Sequence, residues 1–418
     1  MGASATNWAG NHVYRARAVH APSTLEQVRE IVAAAPRIRV LGSRHSFTDI
    51  ADSAELVTLD AVATDVVVDC DAMTVTCGGA VRYGELAVEL ARERLALANL
   101  ASLPHIAVAG AVSTATHGSG DRNRNLAGAV TALEIVTSSG GVVRAVRGDP
   151  DFDGLVVGLG AVGAVTRITL DVEPAYDVRQ HVFEGLRWDY LFAHFDAITA
   201  SGYSVSVFTR WGAMVDQVWV KTRAGAGPFP EALSRAVAAT EHRHPILGLD
   251  PVNCTPQLGI AGPWSERLPH FRMGFTPSSG EELQSEYSVP RRHAVAAIEA
   301  VLGIASVVQP LIQVSEIRTV AADALWMSPQ YGQDTVAIHF TWAPEPDAVP
   351  CALVEVERAL APFAARPHWG KLFLAGAGEI GPLYERLGDF RALLDRLDPR
   401  GAFRNGWLTE HVLGDGGS

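Results

Sequence analysis

The hydrophobic positions of the N-terminal third alternate between helical and strand-like spacing. Apolar residues at positions 25, 28, 31 and 32 share one helical face, and Ser23 and Glu26 precede them at the spacing of a capping box. A second helical face contains Leu86 and Leu90. Short apolar or alternating runs predict strands at 38–41, 66–70, 74–77, 133–137, 142–146 and 165–172. This mixture of helices and short strands predicts an α+β unit.

Longer alternating runs follow residues 173–174. The runs at 203–209 and 217–221 predict an antiparallel sheet with one covered face. Neither an internal repeat nor a low-complexity segment interrupts the sequence. Together with the N-terminal unit, these runs predict a two-domain α+β protein.

Two later runs place polar side chains on shared faces. Glu316 and Arg318 point to the same side of one predicted strand, and His339 and Thr341 share a face of another. A sheet face that carries such groups suits a ligand rich in hydroxyls. The solvent side of an ordinary amphipathic sheet gives the same pattern, and Lys371 taken alone is equally ambiguous.

Two glycine-rich loops flank predicted strands. They contain the small or hydroxyl-bearing residues Gly42, Ser43, Ser46, Ser113, Thr114, Thr116, Gly118, Ser119 and Gly120, together with His45 and His117. Small residues let backbone N–H groups approach a phosphate closely, and hydroxyls add donors. Each loop alone is typical of a turn, whereas the two together predict a dinucleotide-like cofactor. Neither histidine has the spacing of a metal site.

Residues 158–163 spell G-x-G-x-x-G but do not have the order of a nicotinamide site. A dinucleotide fingerprint requires a strand before the glycines and a helix after them. Here the glycines precede the predicted strand 165–172. The motif is therefore interpreted as a tight turn where backbones pack closely, and a nicotinamide-dependent dehydrogenase is disfavoured.

Composition and charge exclude several classes of protein. The 418 residues are 48% hydrophobic and 19% charged, which is typical of a folded protein, and the formal charge is -12. A nucleic-acid binder needs a basic stripe, and a membrane-spanning protein needs about 20 consecutive apolar residues. Neither feature is present, nor is a secretory signal, and the four cysteines have no zinc spacing. We therefore expect a soluble, cytoplasmic monomer with no bound metal.

Several motifs in this order resemble the vanillyl-alcohol oxidase family of flavoenzymes, in the branch of alditol oxidases and aldonolactone oxidoreductases. They are Gly42-Ser43-Arg44-His45-Ser46, Ala101-Ser102-Leu103-Pro104-His105, Thr116-His117-Gly118-Ser119-Gly120, Glu316-Ile317-Arg318 and His368-Trp369-Gly370-Lys371. The resemblance covers essentially the whole chain. It implies an α+β FAD-binding domain at 1–175 and an α+β substrate-binding cap with a large antiparallel sheet at 176–365. A C-terminal segment at 366–418 would return to the FAD domain.

The resemblance also implies roles for individual residues, beginning with covalent attachment of FAD to His45. The positions that would cradle FAD are Leu41, Gly42, Ser43, Arg44, Ser46, Phe47, Ser102, Gly110, Thr114, Ala115, Thr116, His117, Thr166 and His368. Those that would contact substrate are Ser102, Glu316, Arg318, His339, Thr341 and Lys371, with Arg318, His339 and Lys371 catalytic. Arg44 departs from the family's usual glycine, so a positive φ there would cost about 1 kcal/mol of strain.

By the same resemblance, the expected activity is oxidation of a terminal primary hydroxyl of an alditol. A polyol such as xylitol or sorbitol would become an aldehyde, and O2 would become H2O2. Either His339 or Lys371 would take the hydroxyl proton, and Arg318 would stabilise developing negative charge. Two alternatives remain: an aldonolactone oxidase or dehydrogenase of the same family, and a flavin-binding protein without catalysis. Related dehydrogenases resist oxygen through a small side chain near the flavin, and Ala101 is expected in that region. The choice of oxidase over dehydrogenase therefore depends on the resemblance to alditol oxidases alone.

Overall fold

The computed structural model describes residues 6–225, 231–274 and 282–414. Residues 1–5 and 415–418, at the outer ends of the predicted terminal segments, lie outside this description. In the N-terminal region the strands are β1 Ala18–His20, β2 Ile38–Val40, β3 Glu55–Val57, β4 Val66–Asp69, β5 Thr74–Gly78, β6 Leu95–Ala96, β7 Val130–Val136, β8 Val142–Val146, β9 Ala164–Asp171 and β10 Glu173–Pro174. The helices there are α1 Leu25–Ala34, α2 Tyr83–Arg92, α3 Val108–Ser113 and α4 Phe152–Val156.

The N-terminal strands form two principal sheets. Strands β1 and β2 pair in parallel with β3 between them, and β4, β5, β9, β7 and β8 form an antiparallel sheet in that order. Helix α2 supplies the buried residues Leu86 and Leu90 to the main core, as its apolar spacing predicts. All six strands predicted in this region are confirmed to within three residues at each end.

The start of helix α1 differs from the predicted capping box. Thr24, not Ser23, is the N-cap: its hydroxyl accepts from the Gln27 N–H at 3.2 Å. The Gln27 side chain reaches back to the Ser23 N–H at 2.8 Å, and Glu26 pairs with Arg29 instead. The prediction placed the helix one residue too early, and Gln27 accepts from the N–H of the residue before the N-cap instead of completing a capping box.

The second half of the chain builds a large antiparallel sheet, which confirms the predicted α+β class. Its strands are β11 Asp177–Glu184, β12 Ser204–Thr209, β13 Gln217–Arg223, β14 Val237–Ala238, β15 Gly262–Pro263, β16 Leu283–Pro290, β17 Ile312–Val320, β18 Thr335–Trp342 and β19 Arg366–Pro367. The order across the sheet is β14, β11, β13, β12, β17, β18, β16 and β19, with β15 beside β11. The helices that follow are α5 Trp188–Ala193, α6 Phe195–Thr199, α7 Ala294–Gly303, α8 Ala305–Val308, α9 Val349–Leu360, α10 Ala377–Ile380, α11 Leu387–Leu397 and α12 Gly406–Leu408. Within the described ranges, no helix has both the length and the apolarity to cross a membrane.

Both faces of the central strands of this sheet are buried. On one face Phe340 and Trp342 stack with ring centroids 5.1 Å apart, and helix α7 packs against β16 and β18. The opposite face carries polar residues such as Glu316 and His339, which are also buried. Because these side chains are buried where the sheet meets the N-terminal region, the alternative of an ordinary solvent-facing sheet is wrong.

Residues 158–163 form the tight turn that the sequence predicts. Helix α4 precedes them and strand β9 follows, so the strand-before-helix order of a dinucleotide fingerprint is absent from this part of the chain. Gly163 has φ +134°, and a Cβ there would lie 2.4 Å from the carbonyl oxygen of Val136. Only glycine fits such an approach between two backbones.

A buried arginine ties three separate segments together in the N-terminal region. Arg39 of β2 is 2% exposed and donates to the carbonyl oxygens of Phe403 at 2.8 Å and Leu159 at 2.7 Å, and also to that of Ile50. The N–H of Ile38 donates to the carbonyl of Ala402 at 2.8 Å. One side chain thus holds together the C-terminal segment, the turn at 158–163 and the turn at Asp49–Ala51.

Replacing this guanidinium should weaken the fold. Arg39→Met leaves the carbonyl oxygens of Phe403 and Leu159 without this donor, whereas that of Ile50 keeps Asn405 Nδ2 at 3.1 Å. We expect the free energy of unfolding to fall by about 3 kcal/mol. Urea unfolding followed by tryptophan fluorescence measures the change. Arg17→Met is the control, since Arg17 has a side chain 67% exposed and a 3.4 Å ion pair with Glu55; it should cost less than about 0.5 kcal/mol. Equal stabilities of the two variants would contradict this role of Arg39.

Candidate active site

A continuous cavity runs from the first glycine-rich loop to the polar face of the large sheet. It brings together predicted site residues that are far apart in the sequence, namely Leu41, Gly42, Ser43, Arg44, His45, Ser46, Phe47, Ala101, Ser102, Gly110, Thr114, Thr116, His117, Glu316, Arg318, His339, Thr341, His368 and Lys371. The turn at 158–163 also reaches the wall, through Leu159, Gly160 and Gly163. The two glycine-rich loops and the sheet therefore enclose one space.

Two predicted cofactor residues do not line this cavity. Thr166 is buried in β9, where its hydroxyl donates to Glu134 Oε1 at 2.9 Å, and its neighbour Val165 forms the wall instead. Ala115 is fully buried behind the wall, with φ +52°. In both cases the backbone geometry directs a neighbouring side chain to the cavity, which is Val165 beside Thr166 and Thr114 beside Ala115, and directs the predicted residue away from it.

The loop end of the cavity offers backbone donors to an anion. Within the described part of the chain, the N–H groups of residues 42–46 donate to no protein acceptor. Gly110 faces the space with nothing within 4 Å of a Cβ built on it, and Thr114 and Thr116 add hydroxyls. Free N–H groups, hydroxyls and close backbone approach are the features that bind a phosphate. The residues present therefore fit the pyrophosphate of the FAD that the family resemblance implies.

Arg44 has the backbone conformation that normally favours glycine. Its φ is +63°, so the strain anticipated for arginine at this position is present. Its carbonyl accepts from the Trp8 N–H at 2.8 Å, which holds the loop in this shape. The exposed guanidinium lies on the cavity wall as a cation near the loop donors.

His45 follows Arg44 and presents a neutral imidazole to the cavity. Its ring lies 5.5 Å from the Trp8 ring, centroid to centroid. Burial, with the nearby charges of His105 and Arg82, lowers the pKa of His45 to about 4. A neutral ring at pH 7 retains a nitrogen lone pair, which a covalent bond to a cofactor requires.

At the sheet end of the cavity, the carboxylate of Glu286 is the centre of a buried cluster. Its Oε2 lies 2.6 Å from Lys371 Nζ, 3.1 Å from His339 Nδ1 and 3.2 Å from an Arg318 Nη atom. Its Oε1 forms a short hydrogen bond with His117 Nε2. The four partners come from four different segments of the chain.

The charges in this cluster shift the pKa of each member in a definite direction. Burial opposes ionisation of Glu286, but Lys371, His117 and Arg318 outweigh it, so its pKa lies well below the usual range. Burial lowers the pKa of Lys371 despite the nearby carboxylate. Burial, with the charge of Lys371, lowers the pKa of His339 to about 4. An ionised carboxylate thus holds the Lys371 nitrogen and a neutral imidazole, which lie 2.9 Å apart.

A second carboxylate, Glu316, lies beside this cluster. Its Oε1 lies 2.8 Å from His270 Nε2, and its Oε2 lies 3.5 Å from Arg318 Nε. The guanidinium of Arg318 also approaches the Ser102 hydroxyl at 3.5 Å. On the other side, His339 Nε2 lies 3.0 Å from the Thr341 hydroxyl. The wall therefore offers an acceptor, a cation and two hydroxyls within one space.

The register of the sheet accounts for this arrangement. Glu286 of β16 pairs with His339 of β18, and His339 pairs with Glu316 of β17, so the three side chains form one row across three strands. The segment after β19 runs along the free edge of β16, because His368 N–H donates to the Glu286 carbonyl at 2.9 Å. Lys371 follows three residues later and thereby reaches the carboxylate.

Neither the sequence patterns nor the family resemblance gives a role to Glu286 or His270. A signal for Glu286 existed, since Gln284, Glu286 and Ser288 recur at every second position of β16 and so share one face, as the polar pairs of β17 and β18 do. His270 lies in an irregular segment between β15 and β16, where no periodicity marks it. Gln284, also on the cavity wall, belongs to the same alternating set.

Two family models match the two regions of the chain that form the ends of the cavity. Residues 16–145 match the family model of the FAD binding domain, and residues 279–411 match that of D-arabinono-1,4-lactone oxidase. The alditol oxidase of a Streptomyces strain is 48% identical over 99% of this chain and 100% of its own length. The L-gulono-1,4-lactone dehydrogenase of Mycobacterium tuberculosis is 29% identical over 98% of this chain and 99% of its own.

The fold has relatives among solved structures. The cholesterol oxidase of B. sterolicum superposes with a TM-score of 0.77 over 98% of this chain and 96% of its own, at 17% sequence identity. At that identity the likeness concerns the fold. The family itself is shown by the full-length similarity to the alditol oxidase together with the two family models. The chain belongs to the vanillyl-alcohol oxidase family of FAD-dependent oxidoreductases, in the branch that contains alditol oxidases and aldonolactone oxidases.

Proposed function

We propose that this protein is an FAD-dependent oxidase that converts a terminal primary hydroxyl of a small alditol to an aldehyde and O2 to H2O2. The observation that carries the proposal is the buried cluster of Glu286, Lys371, His339 and Arg318, at the far end of a cavity whose near end fits FAD. The 48% identity to an alditol oxidase along the whole chain supports it.

FAD would be held by the N–H groups of residues 42–46 and by the hydroxyls of Thr114 and Thr116. His45 would attach it covalently, because its ring is neutral at pH 7 and lies on the wall of the same space. When bound, FAD supplies a hydride acceptor for the carbinol carbon and a route for two electrons to O2. Ala101 lines the cavity, but the choice of O2 as the acceptor rests on the 48% identity to the alditol oxidase.

Lys371 and His339 together would take the hydroxyl proton. Their nitrogen atoms lie 2.9 Å apart, and burial lowers the pKa of both. Groups this close titrate as a pair, so we assign the base to the pair and not to one member. Glu286 positions both nitrogens and stabilises the charge that they acquire. The buried setting lowers the local dielectric constant, which strengthens each of these interactions.

The remaining polar groups would hold the substrate. Arg318 would stabilise negative charge on the reacting oxygen. Glu316, Ser102 and Thr341 would pair with the other hydroxyls of the polyol, because each is buried or half-buried on the wall. A site that pairs several hydroxyls rejects analogues that lack them, since its own polar groups would be left without partners.

A second candidate is oxidation of an aldonolactone. It is favoured by the match of residues 279–411 to a lactone oxidase model and by the 29% identical lactone dehydrogenase. The same polar wall could hold the hydroxyls of a sugar lactone. We favour an alditol because the relative named for that activity is the more similar of the two.

Substrate comparison tests the proposed function. We expect xylitol or sorbitol to reduce the bound flavin anaerobically and to release H2O2 in air, with a higher kcat/KM than L-gulono-1,4-lactone. Lys371→Met should slow flavin reduction at least about hundredfold, the usual contribution of a general base. In that variant the Glu286 carboxylate keeps its contacts with Arg318 and His117, so the cavity should keep its shape and the flavin should stay bound. Arg358→Met, an exposed ion-pair variant, is the control and should behave as wild type.

A preference for the lactone would transfer the assignment to the second candidate. Flavin that no alditol or lactone reduces would mean a binding protein without catalysis. Near-normal reduction in Lys371→Met would remove Lys371 from the base.

Covalent attachment gives a separate prediction. In wild type, flavin absorbance should remain with the protein after acid precipitation, whereas in His45→Ala it should pass into the supernatant. The reason is that acid unfolds the protein and releases a cofactor held by hydrogen bonds alone. Flavin that washes out of the wild-type protein would contradict the bond to His45.

A further inference from the structure

The chain contains one lysine besides the one in the Glu286 cluster. Of its 34 lysine and arginine residues, Lys221 and Lys371 are the lysines, and every other cation is an arginine. Lys221 lies in β13 and is 1% exposed. A compact ammonium with three donors occupies this position, which the planar fork of a guanidinium does not reproduce. A buried lysine in a chain whose other cations are nearly all arginines points to a specific role for its ammonium group.

The neighbours of Lys221 use its three N–H donors. The carbonyl oxygen of Leu268 accepts a short hydrogen bond from Nζ, and that of Pro269 accepts another at 3.2 Å. The third partner is His270 Nδ1, at 3.1 Å. A charged ammonium donates and cannot accept, so Nδ1 of His270 must be the acceptor of this contact.

This contact fixes the tautomer of His270. Burial lowers the pKa of His270 to about 4, so the ring is neutral and carries a single proton. With Nδ1 accepting from Lys221, the proton must be on Nε2. Nε2 lies 2.8 Å from Glu316 Oε1 and donates to it. Lys221 and His270 thus form a donor chain that ends on a carboxylate of the cavity wall.

The orientation of Glu316 depends on this chain. One carboxylate oxygen accepts from His270, and the other lies 3.5 Å from Arg318 Nε. These two contacts restrict rotation of the carboxylate group. The opposite tautomer of His270 would direct a lone pair at Oε1 and repel it. Lys221 itself does not line the cavity, so it acts on the site only through His270.

We propose that Lys221 and His270 are positioning residues that hold the Glu316 carboxylate as a fixed acceptor for a hydroxyl of the substrate. The inference rests on the proposed function, because it concerns binding of the alditol at that same site. It assigns to Lys221 a role in substrate affinity and not in the transfer of hydride or proton.

The donor chain also has a pH dependence with a definite sign. Burial lowers the pKa of Lys221 to about 7. The ionisable groups that act on it are His270, Glu316, Arg318 and Cys254. Below pH 7 the ammonium fixes the tautomer. As the pH rises through 7, the neutral amine can accept as well as donate, so KM for the alditol should rise.

The test compares steady-state kinetics with xylitol for wild type, Lys221→Met, His270→Leu and His270→Gln. At pH 6.5, Lys221→Met and His270→Leu should raise KM about tenfold, the typical effect of a lost hydrogen bond to a charged group. Their kcat and flavin content should stay within about twofold of wild type. His270→Gln retains an N–H near the position of Nε2 and should recover most of the affinity. The rise of KM between pH 6.5 and 8.5 should vanish in Lys221→Met.

Several results would overturn the inference. An unchanged KM in Lys221→Met, or a loss of kcat and flavin together with KM, would leave the lysine a purely structural tie. Should Lys221→Met fail to fold, equal KM values for His270→Leu and His270→Gln would decide against the proposal. Wild-type protein whose flavin no alditol reduces would overturn the proposed function as well. Wild-type activity combined with the other negative results would overturn the role of Lys221 and His270 alone.

Discussion

The structure depends on the need to neutralise one buried carboxylate. Glu286 is 1% exposed, and an ionised carboxylate at such a position costs several kcal/mol unless it is paired and hydrogen-bonded. The partners come from the loop after α3, from β17, from β18 and from the segment after β19. Burying Glu286 therefore requires the N-terminal region, the large sheet and the C-terminal segment to meet at one point. That point is the sheet end of the cavity, so the requirement of stability also assembles the chemistry.

The register of the large sheet and the difference between its polar and apolar faces fix the positions of the polar side chains. The row of Glu286, His339 and Glu316 crosses three strands, and a shift of one residue in any of them would send that side chain to the apolar face. The stacked rings of Phe340 and Trp342 on the apolar face oppose such a shift, because their burial would be lost. The core therefore fixes the distances within the polar cluster. Small changes there would alter the contact of 2.9 Å between Lys371 and His339.

Much of this arrangement could be predicted from the sequence, because it follows from local periodicity and recognisable motifs. Alternation predicts that Glu316 and Arg318 share one face of a strand and that His339 and Thr341 share one face of another. In the structure both pairs lie on the cavity wall, in β17 and β18. Contacts that depend on distant segments could not be predicted from periodicity. Glu286 is central because of groups that lie 32 to 169 residues away in the chain. The family resemblance predicts Thr166 at the cavity, but strand pleating directs its side chain to Glu134. Ala115 was also expected there, and the backbone turn at φ +52° places it behind the wall.

The most direct test of the account is the rate of anaerobic flavin reduction by xylitol in Glu286→Gln. Glutamine has nearly the same shape but no charge, so it removes the electrostatic hold on Lys371 and His339 while it leaves the sheet intact. We expect flavin to remain bound and the rate constant to fall at least about hundredfold. A rate constant close to that of wild type would contradict the central claim that the ionised carboxylate organises the site.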